Sequence, residues 1–178
     1  MALDNAHSPI LGFAAASGTG KTTLLEQLIP HLTRLGLRIG LIKHSHHDFQ
    51  IDQQGKDSCR LREAGASPVL LVSPYRRAII TELNGQQEPD LNMELKFIDQ
   101  ANLDLLLVEG FKNEAFPKIE LHRSSLQQPL LYPNDGNIIA IASDTPLETP
   151  AYLTQLDLNR VDAIADFILQ LLWQTFVA

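Results

Sequence analysis

A chain of 178 residues, 44% hydrophobic and 20% charged, has the size and balance of one globular domain with a sizeable core. Lys and Arg total 14 against 21 Asp and Glu, a formal charge of −7; that argues against a broad nucleic-acid surface but allows a local basic patch. The single cysteine, Cys59, excludes an internal disulfide and a cysteine-rich zinc site.

The opening stretch "MALDNAHSPI" has no apolar run of signal-peptide length, and runs such as 105–108 and 138–142 are far too short to cross a bilayer. A cytoplasmic protein with no membrane contact is expected. After Pro9, "ILGFAA" reads as a buried strand. A helix follows from Lys21 to about Leu35, with Leu24, Leu25, Leu28, Leu32 and Leu35 on one face, Pro30 as a predicted kink and Gly36 as its stop. "LRIGLIKH" is the second strand, and "GKDSCRLREAGA" predicts a helix of about three turns starting near Asp57 or Ser58. "SPVLLVS" and "RRAIITEL" are two strands around a turn at 73–75, a hairpin expected at a sheet edge in need of a cover. Helix is expected again near 90–100. "LDLLLVEG", "PKIELHR" and "NIIAIASD" are further strands, and "NRVDAIADFILQLLWQ" closes the chain as an amphipathic helix. Strands alternating with helices predict an α/β fold with a largely parallel sheet.

The first strand and helix enclose Ala15-Ala16-Ser17-Gly18-Thr19-Gly20-Lys21-Thr22, which fits the phosphate-loop template G-x-x-x-x-G-K-[ST] except at Ala15. Backbone N–H groups of the loop can converge on phosphate oxygens at the helix N-terminus, with Lys21 on the terminal phosphates and the Thr22 hydroxyl on Mg²⁺. The alternative is a glycine-rich turn that holds nothing. Alanine at position 15 would cost about 1–2 kcal/mol if the backbone there were left-handed, so a negative φ is expected. A phosphate loop also needs a carboxylate at the end of a neighbouring strand, and Glu109 in "LVEG" fits that role; its alternative is a solvated glutamate at a strand end.

Several weaker candidates surround this core. In "KHSHHD", Lys43 could neutralise phosphate and Asp48 could complete the Mg²⁺ shell. His44, His46 and His47 suggest hydrogen bonding to a ligand or partner, transition-metal binding, or merely a solvated loop. Gly55, Lys56 and Asp57 form a second anion site or an ordinary helix start, and Arg76 belongs to a small basic spot with Arg77. The guanine signature N-K-x-D is absent. Asp144 could accept hydrogen bonds from guanine, or cap the loop it begins.

Together, "FAAASGTGKTTLLEQLIPHL", "GLIKHSHHD", "GKDS-x-x-LREAGA" and "DLLLVEGFK" resemble the MobB family of molybdopterin-guanine dinucleotide biosynthesis adaptor proteins, from about residue 9 to the last helix. The resemblance implies a P-loop NTPase-like domain over residues 1–178, with a hairpin insertion at about 67–83. It further implies a cytoplasmic homodimer that binds GTP and Mg²⁺, hydrolyses GTP weakly and works beside molybdopterin guanylyltransferase. The resemblance places phosphate binding on Ser17–Thr23, and it adds molybdopterin as a second candidate ligand, with "HSHHD" and "GKDS" as parts of the nucleotide or pterin site. A likeness to dethiobiotin synthetase supports Glu109 and Asp48 as metal-side carboxylates. Two other functions fit the motif: a P-loop small-molecule kinase or ligase, and a metallochaperone GTPase carrying metal on its histidines. The sequence shows no Arg-rich lid for the first and no cysteine beside the histidines for the second.

Overall fold

The computed structural model describes residues 3–45, 47–83, 85 and 88–177. The chain forms two compact units, Met1–His44 with Asp90–Ala178, and Ser45–Pro89.

In the larger unit the elements run β1 (Ile10–Ala15), α1 (Lys21–Arg34) and β2 (Ile39–Lys43). The chain leaves this unit after His44 and returns at Asp90. The smaller unit holds α2 (Asp57–Glu63), β3 (Val69–Val72) and β4 (Arg77–Ile80). The larger unit then continues with α3 (Leu91–Glu94), β5 (Leu105–Glu109), β6 (Lys118–His122), β7 (Ile138–Ser143), β8 (Thr154–Asp157) and α4 (Val161–Val177). Its six strands lie in the order β2-β5-β1-β6-β7-β8 and pair in parallel throughout. The expected α/β architecture is therefore present, and the 68–83 hairpin forms its own two-stranded antiparallel sheet.

Because side chains alternate across a strand, each central strand of a covered sheet must be apolar on both faces. Leu11, Phe13, Leu105, Leu107, Ile119 and Leu121 pack with Leu24, Leu25, Leu28 and Leu32 of α1 and with Ile164 and Ile168 of α4. On the other face, Leu106 and Val108 pack with Leu91, Leu95, Phe111 and Phe116. Burying one such leucine contributes about 1.5–3 kcal/mol, so these two clusters hold the sheet and fix its C-terminal edge. Buried Lys118 secures the loop after β5: its Nζ donates to the carbonyls of Lys112 and Glu114 and pairs with Asp135 at 2.8 Å.

Two helices are shorter than the sequence predicts. The helix expected near 90–100 is a four-residue α3 followed by a 3-10 turn at Leu95–Phe97. Buried Gln100 ends it by donating its side-chain amide to the Leu95 carbonyl, the oxygen a continuing helix would use, and to the Asn5 carbonyl. In the smaller unit α2 spans seven residues, stopped by Gly65 at φ 107°. Helix α1 runs unbroken through Pro30, and Gly36 follows its cap at φ 91°.

The smaller unit has little room for an apolar core. Arg62 substitutes for one, gripping buried Asp52 through Nε (3.4 Å) and Nη2 (3.0 Å) and Glu82 through Nη1 (2.6 Å). In the hairpin, Leu70 and Ile79 are register partners on the exposed face together with Val72, while Val69, Leu71, Ala78 and Ile80 are half-buried.

Candidate phosphate-binding site

The parallel sheet sets the site's geometry. Phe13 of β1 and Lys43 of β2 both stand in register with Glu109 at the end of β5, so β2 and β5 finish at one level and β1 runs two residues further, to Ala15. The chain leaving β1 turns through residues 16–20 and starts α1 at Lys21. Gly18 and Gly20 take φ 79° and 97°, backbone that L side chains rarely adopt. Ala15 lies inside the strand without a positive φ, so the loop tolerates alanine where the template has glycine.

Thr19 pins the loop from within. It is 2% exposed, and its Oγ1 donates to the Ala16 carbonyl at 2.8 Å. Gly20, the N-cap of the 14-residue α1, offers no side-chain cap, so the helix's first N–H groups are left for an external acceptor. Ser17, Thr22 and Thr23 are exposed along this stretch.

Charge concentrates beside the loop. The Glu109 side chain is 14% exposed, with Oε1 3.5 Å from Lys21 Nζ and Oε2 3.3 Å from Lys43 Nζ. Two ammonium groups against one carboxylate leave a net positive charge, to which the helix N-terminus adds about half a charge. The Glu109 carbonyl accepts the His44 N–H at 2.8 Å, and the His44 ring tilts against Phe111 at 4.8 Å between centroids. Gly110 makes that approach possible: its φ is 99°, and a Cβ there would lie 2.7 Å from the His44 Cβ.

A third cation stands on the other side of β1. Arg123, just past β6, donates from Nε to the Thr19 carbonyl at 3.2 Å, and its Nη1 lies 3.7 Å from Asp144 Oδ2. Asp144 Oδ1 accepts the Ser124 N–H at 2.9 Å. That backbone hydrogen bond, helped by the Arg123 charge, holds the Asp144 carboxyl below the usual carboxylate range. Asp144 thus caps the 3-10 turn Ser124–Leu126 after β6 rather than the loop it begins, whose Thr145 N–H is accepted by Ser143 Oγ at 3.2 Å. Arg123 escapes sequence reasoning because it carries no motif.

The structure thus gathers Ser17, Gly18, Thr19, Gly20, Lys21, Thr22, Thr23, Lys43 and Glu109 around one loop, with Asp144 joined to it through Arg123. The remaining candidates, Asp48, Gly55, Lys56, Asp57 and Arg76, belong to the smaller unit. There Gly55 (φ 83°) and extended Lys56 lead into α2, Asp57 opens that helix 4.0 Å from Arg60, and Arg76 lies exposed in the hairpin turn. His47 is exposed, and His46 lies outside the described residues. Among the described residues, no three His, Cys, Asp or Glu side chains cluster in a way that could hold a metal ion. No helix among them is long and apolar enough to cross a membrane.

Comparison with known proteins agrees with this arrangement. Residues 10–144 match the family model MobB, molybdopterin guanine dinucleotide synthesis protein B. The chain is 48% identical over 163 residues to the molybdopterin-guanine dinucleotide biosynthesis adapter protein of Escherichia coli (strain K12), covering 91% of this chain and 92% of that one. The Haemophilus influenzae adapter protein of the same description is 47% identical, with 92% and 89% covered. A crystal structure of molybdopterin-guanine biosynthesis protein B superposes with TM-score 0.70 at 26% identity over 92% of this chain and 98% of that one. Bacillus subtilis MobB, at 24% identity and TM-score 0.71 over 91% and 96% of the two chains, shares the fold. Matching the family model over residues 10–144 and these relatives over most of its length, the chain belongs to the MobB family of molybdopterin-guanine dinucleotide biosynthesis adapter proteins.

Proposed function

We propose that this adapter binds GTP with Mg²⁺ at the loop of residues 15–22, hydrolyses it slowly, and acts as a cytoplasmic homodimer beside molybdopterin guanylyltransferase. The observation that carries the reading is the pairing of an uncapped helix N-terminus with Lys21, Lys43 and Glu109 at one sheet edge. A triphosphate supplies the acceptors that the N–H groups lack and the negative charge that the lysines exceed.

The donor set suits Mg²⁺. That ion prefers hard oxygen ligands, usually one or two from protein with the rest from phosphate and water. Thr22 supplies a hydroxyl and Glu109 a carboxylate at the same sheet edge. When bound, the ion would neutralise charge on the phosphates. Lys21 moves from Glu109 toward the anion in this reading, and Lys43 retains the carboxylate. Both Glu109 oxygens face ammonium groups, so this carboxylate is not presented as a general base, which agrees with slow hydrolysis.

Family membership is what supports guanine preference and the transferase partner in this reading. For the dimer, support comes from the hairpin, whose exposed face carries Leu70, Val72 and Ile79 at 57%, 69% and 59% exposure. Calorimetry of GTP and ATP with Mg²⁺, with and without the transferase, tests the reading. Lys21→Ala should abolish binding while leaving the fold intact; retained affinity in that variant, or fast turnover of the lone wild type, would overturn it. Sedimentation as a monomer at tens of micromolar would remove the dimer.

A further inference from the structure

Arg123 and Asp144 lie beside the loop, and the phosphate site as described does not use them. The arginine's position is costly. A guanidinium next to a helix N-terminus is disfavoured by the helix dipole. A partly exposed Asp144 at 3.7 Å offsets only part of this. Something must be gained by holding the arginine there.

The gain is in the backbone. Arg123 Nε holds the carbonyl of the Thr19–Gly20 peptide at 3.2 Å. In a trans peptide the C=O and N–H point in opposite directions. Fixing the Thr19 carbonyl on the Arg123 side therefore fixes the Gly20 N–H on the other. Without a latch that peptide could flip cheaply, because Gly20 has no Cβ and accepts φ of either sign. The Arg123 Nη2 also lies 3.6 Å from where a Gly20 Cβ would stand, so the guanidinium lies close against this peptide. Asp144 braces the latch from behind, through Arg123 Nη1 and through the Ser124 N–H.

We infer that Arg123 is a positioning residue that latches the Thr19–Gly20 peptide, keeping the Gly20 N–H aimed for a phosphate, and that Asp144 acts on this latch rather than on the base. The inference rests on the P-loop reading for its ligand but not for its backbone geometry. Because the latch touches peptide rather than base, its loss weakens GTP and ATP by one factor. If the free peptide spends between half and a tenth of its time correctly oriented, affinity falls between about two- and tenfold.

The test uses the full chain. Nitrogen-15 relaxation dispersion on the Gly20 amide should be quiet in wild type and show exchange in Arg123→Ala, with saturating GTP·Mg²⁺ quenching it. Calorimetry should give equal losses for GTP and ATP in Arg123→Ala, a smaller equal loss in Asp144→Asn, and partial recovery in Arg123→Lys. A quiet Gly20 amide with unchanged affinity in Arg123→Ala would overturn the latch. So would an Asp144→Asn defect confined to GTP, which would put Asp144 on guanine. A wild type that binds no nucleotide would sink the P-loop reading, and exchange at Gly20 in ligand-free Arg123→Ala would still establish the latch.

Discussion

Replacing Glu109 by glutamine separates the two roles its carboxylate holds. The side chain keeps its size and loses its charge, so both lysine pairs, at 3.5 and 3.3 Å, are dissolved together. Exposed ion pairs are worth up to about 1 kcal/mol each, and Glu109, at 14% exposure, belongs at the upper end. A polyphosphate entering the loop must either draw Lys21 away from this carboxylate or endure its repulsion. Without Mg²⁺, Glu109→Gln should therefore bind GTP more tightly, by about 1–2 kcal/mol or roughly five- to thirtyfold. With Mg²⁺ the sign reverses, because an anionic oxygen donor to a hard cation is lost. Calorimetric titration of GTP into both proteins, once in EDTA and once in excess Mg²⁺, reads the crossover directly. An equal loss of affinity in both buffers would show that Glu109 merely supports the fold, and would refute the electrostatic argument.

Gly110→Ala should lower the melting temperature by about 4–8 °C, since φ 99° and a Cβ 2.7 Å from the His44 Cβ together cost about 2 kcal/mol or more; an unchanged calorimetric melt would contradict this. Arg62→Ala strands buried Asp52 without its partner and should loosen the 45–89 unit, seen as faster limited proteolysis confined to that unit. Hydrogen bonds from Arg38 hold the Asp104 carboxyl at about 2, below its ordinary 3.8. A depressed folded-state value stabilises above pH 3.8 and is lost as pH falls through about 2, so the stability gap between wild type and Asp104→Asn should close over that window in acid titrations followed by circular dichroism.

The larger unit was legible wherever a strand is buried on both faces. Stretches 10–15, 105–108 and 138–142 carry no polar side chain because the parallel sheet is covered on both sides, and no surface demand dilutes the signal. Strand β8 was not foreseen. Its four residues, Thr-Gln-Leu-Asp, sit at the sheet edge with only Leu156 turned inward, so no periodicity accumulates. The early stop after α3 was equally hidden. It depends on Gln100 meeting Asn5, His7 and Ser8, more than ninety positions away, and nothing local distinguishes that glutamine.

The same division between local and distant information separates the parts of the site. Lys21 declares itself because six neighbours spell a loop, and Glu109 because an apolar strand ends on it. Arg123 is chemically no different from other arginines in the chain. It reaches the loop only because β6 pairs with β1 in the register Ala15↔Leu121, which carries the next residues of both strands past the same edge. Sequence separation between Arg123 and Thr19 is 104, spanned by a sheet whose strand order cannot be read from spacing. Asp144 illustrates the consequence. At the end of β7 it has the right chemistry to read a guanine, and sequence alone keeps that reading open beside the loop cap. The β6–β7 pairing, with His122 opposite Ser143, sets Asp144 beside Arg123 and Ser124, and both of its oxygens turn toward them. Where this carboxylate lies is thus set by which strand lies next to its own, and in this sheet the neighbour offers an arginine whose other contact is the Thr19 carbonyl.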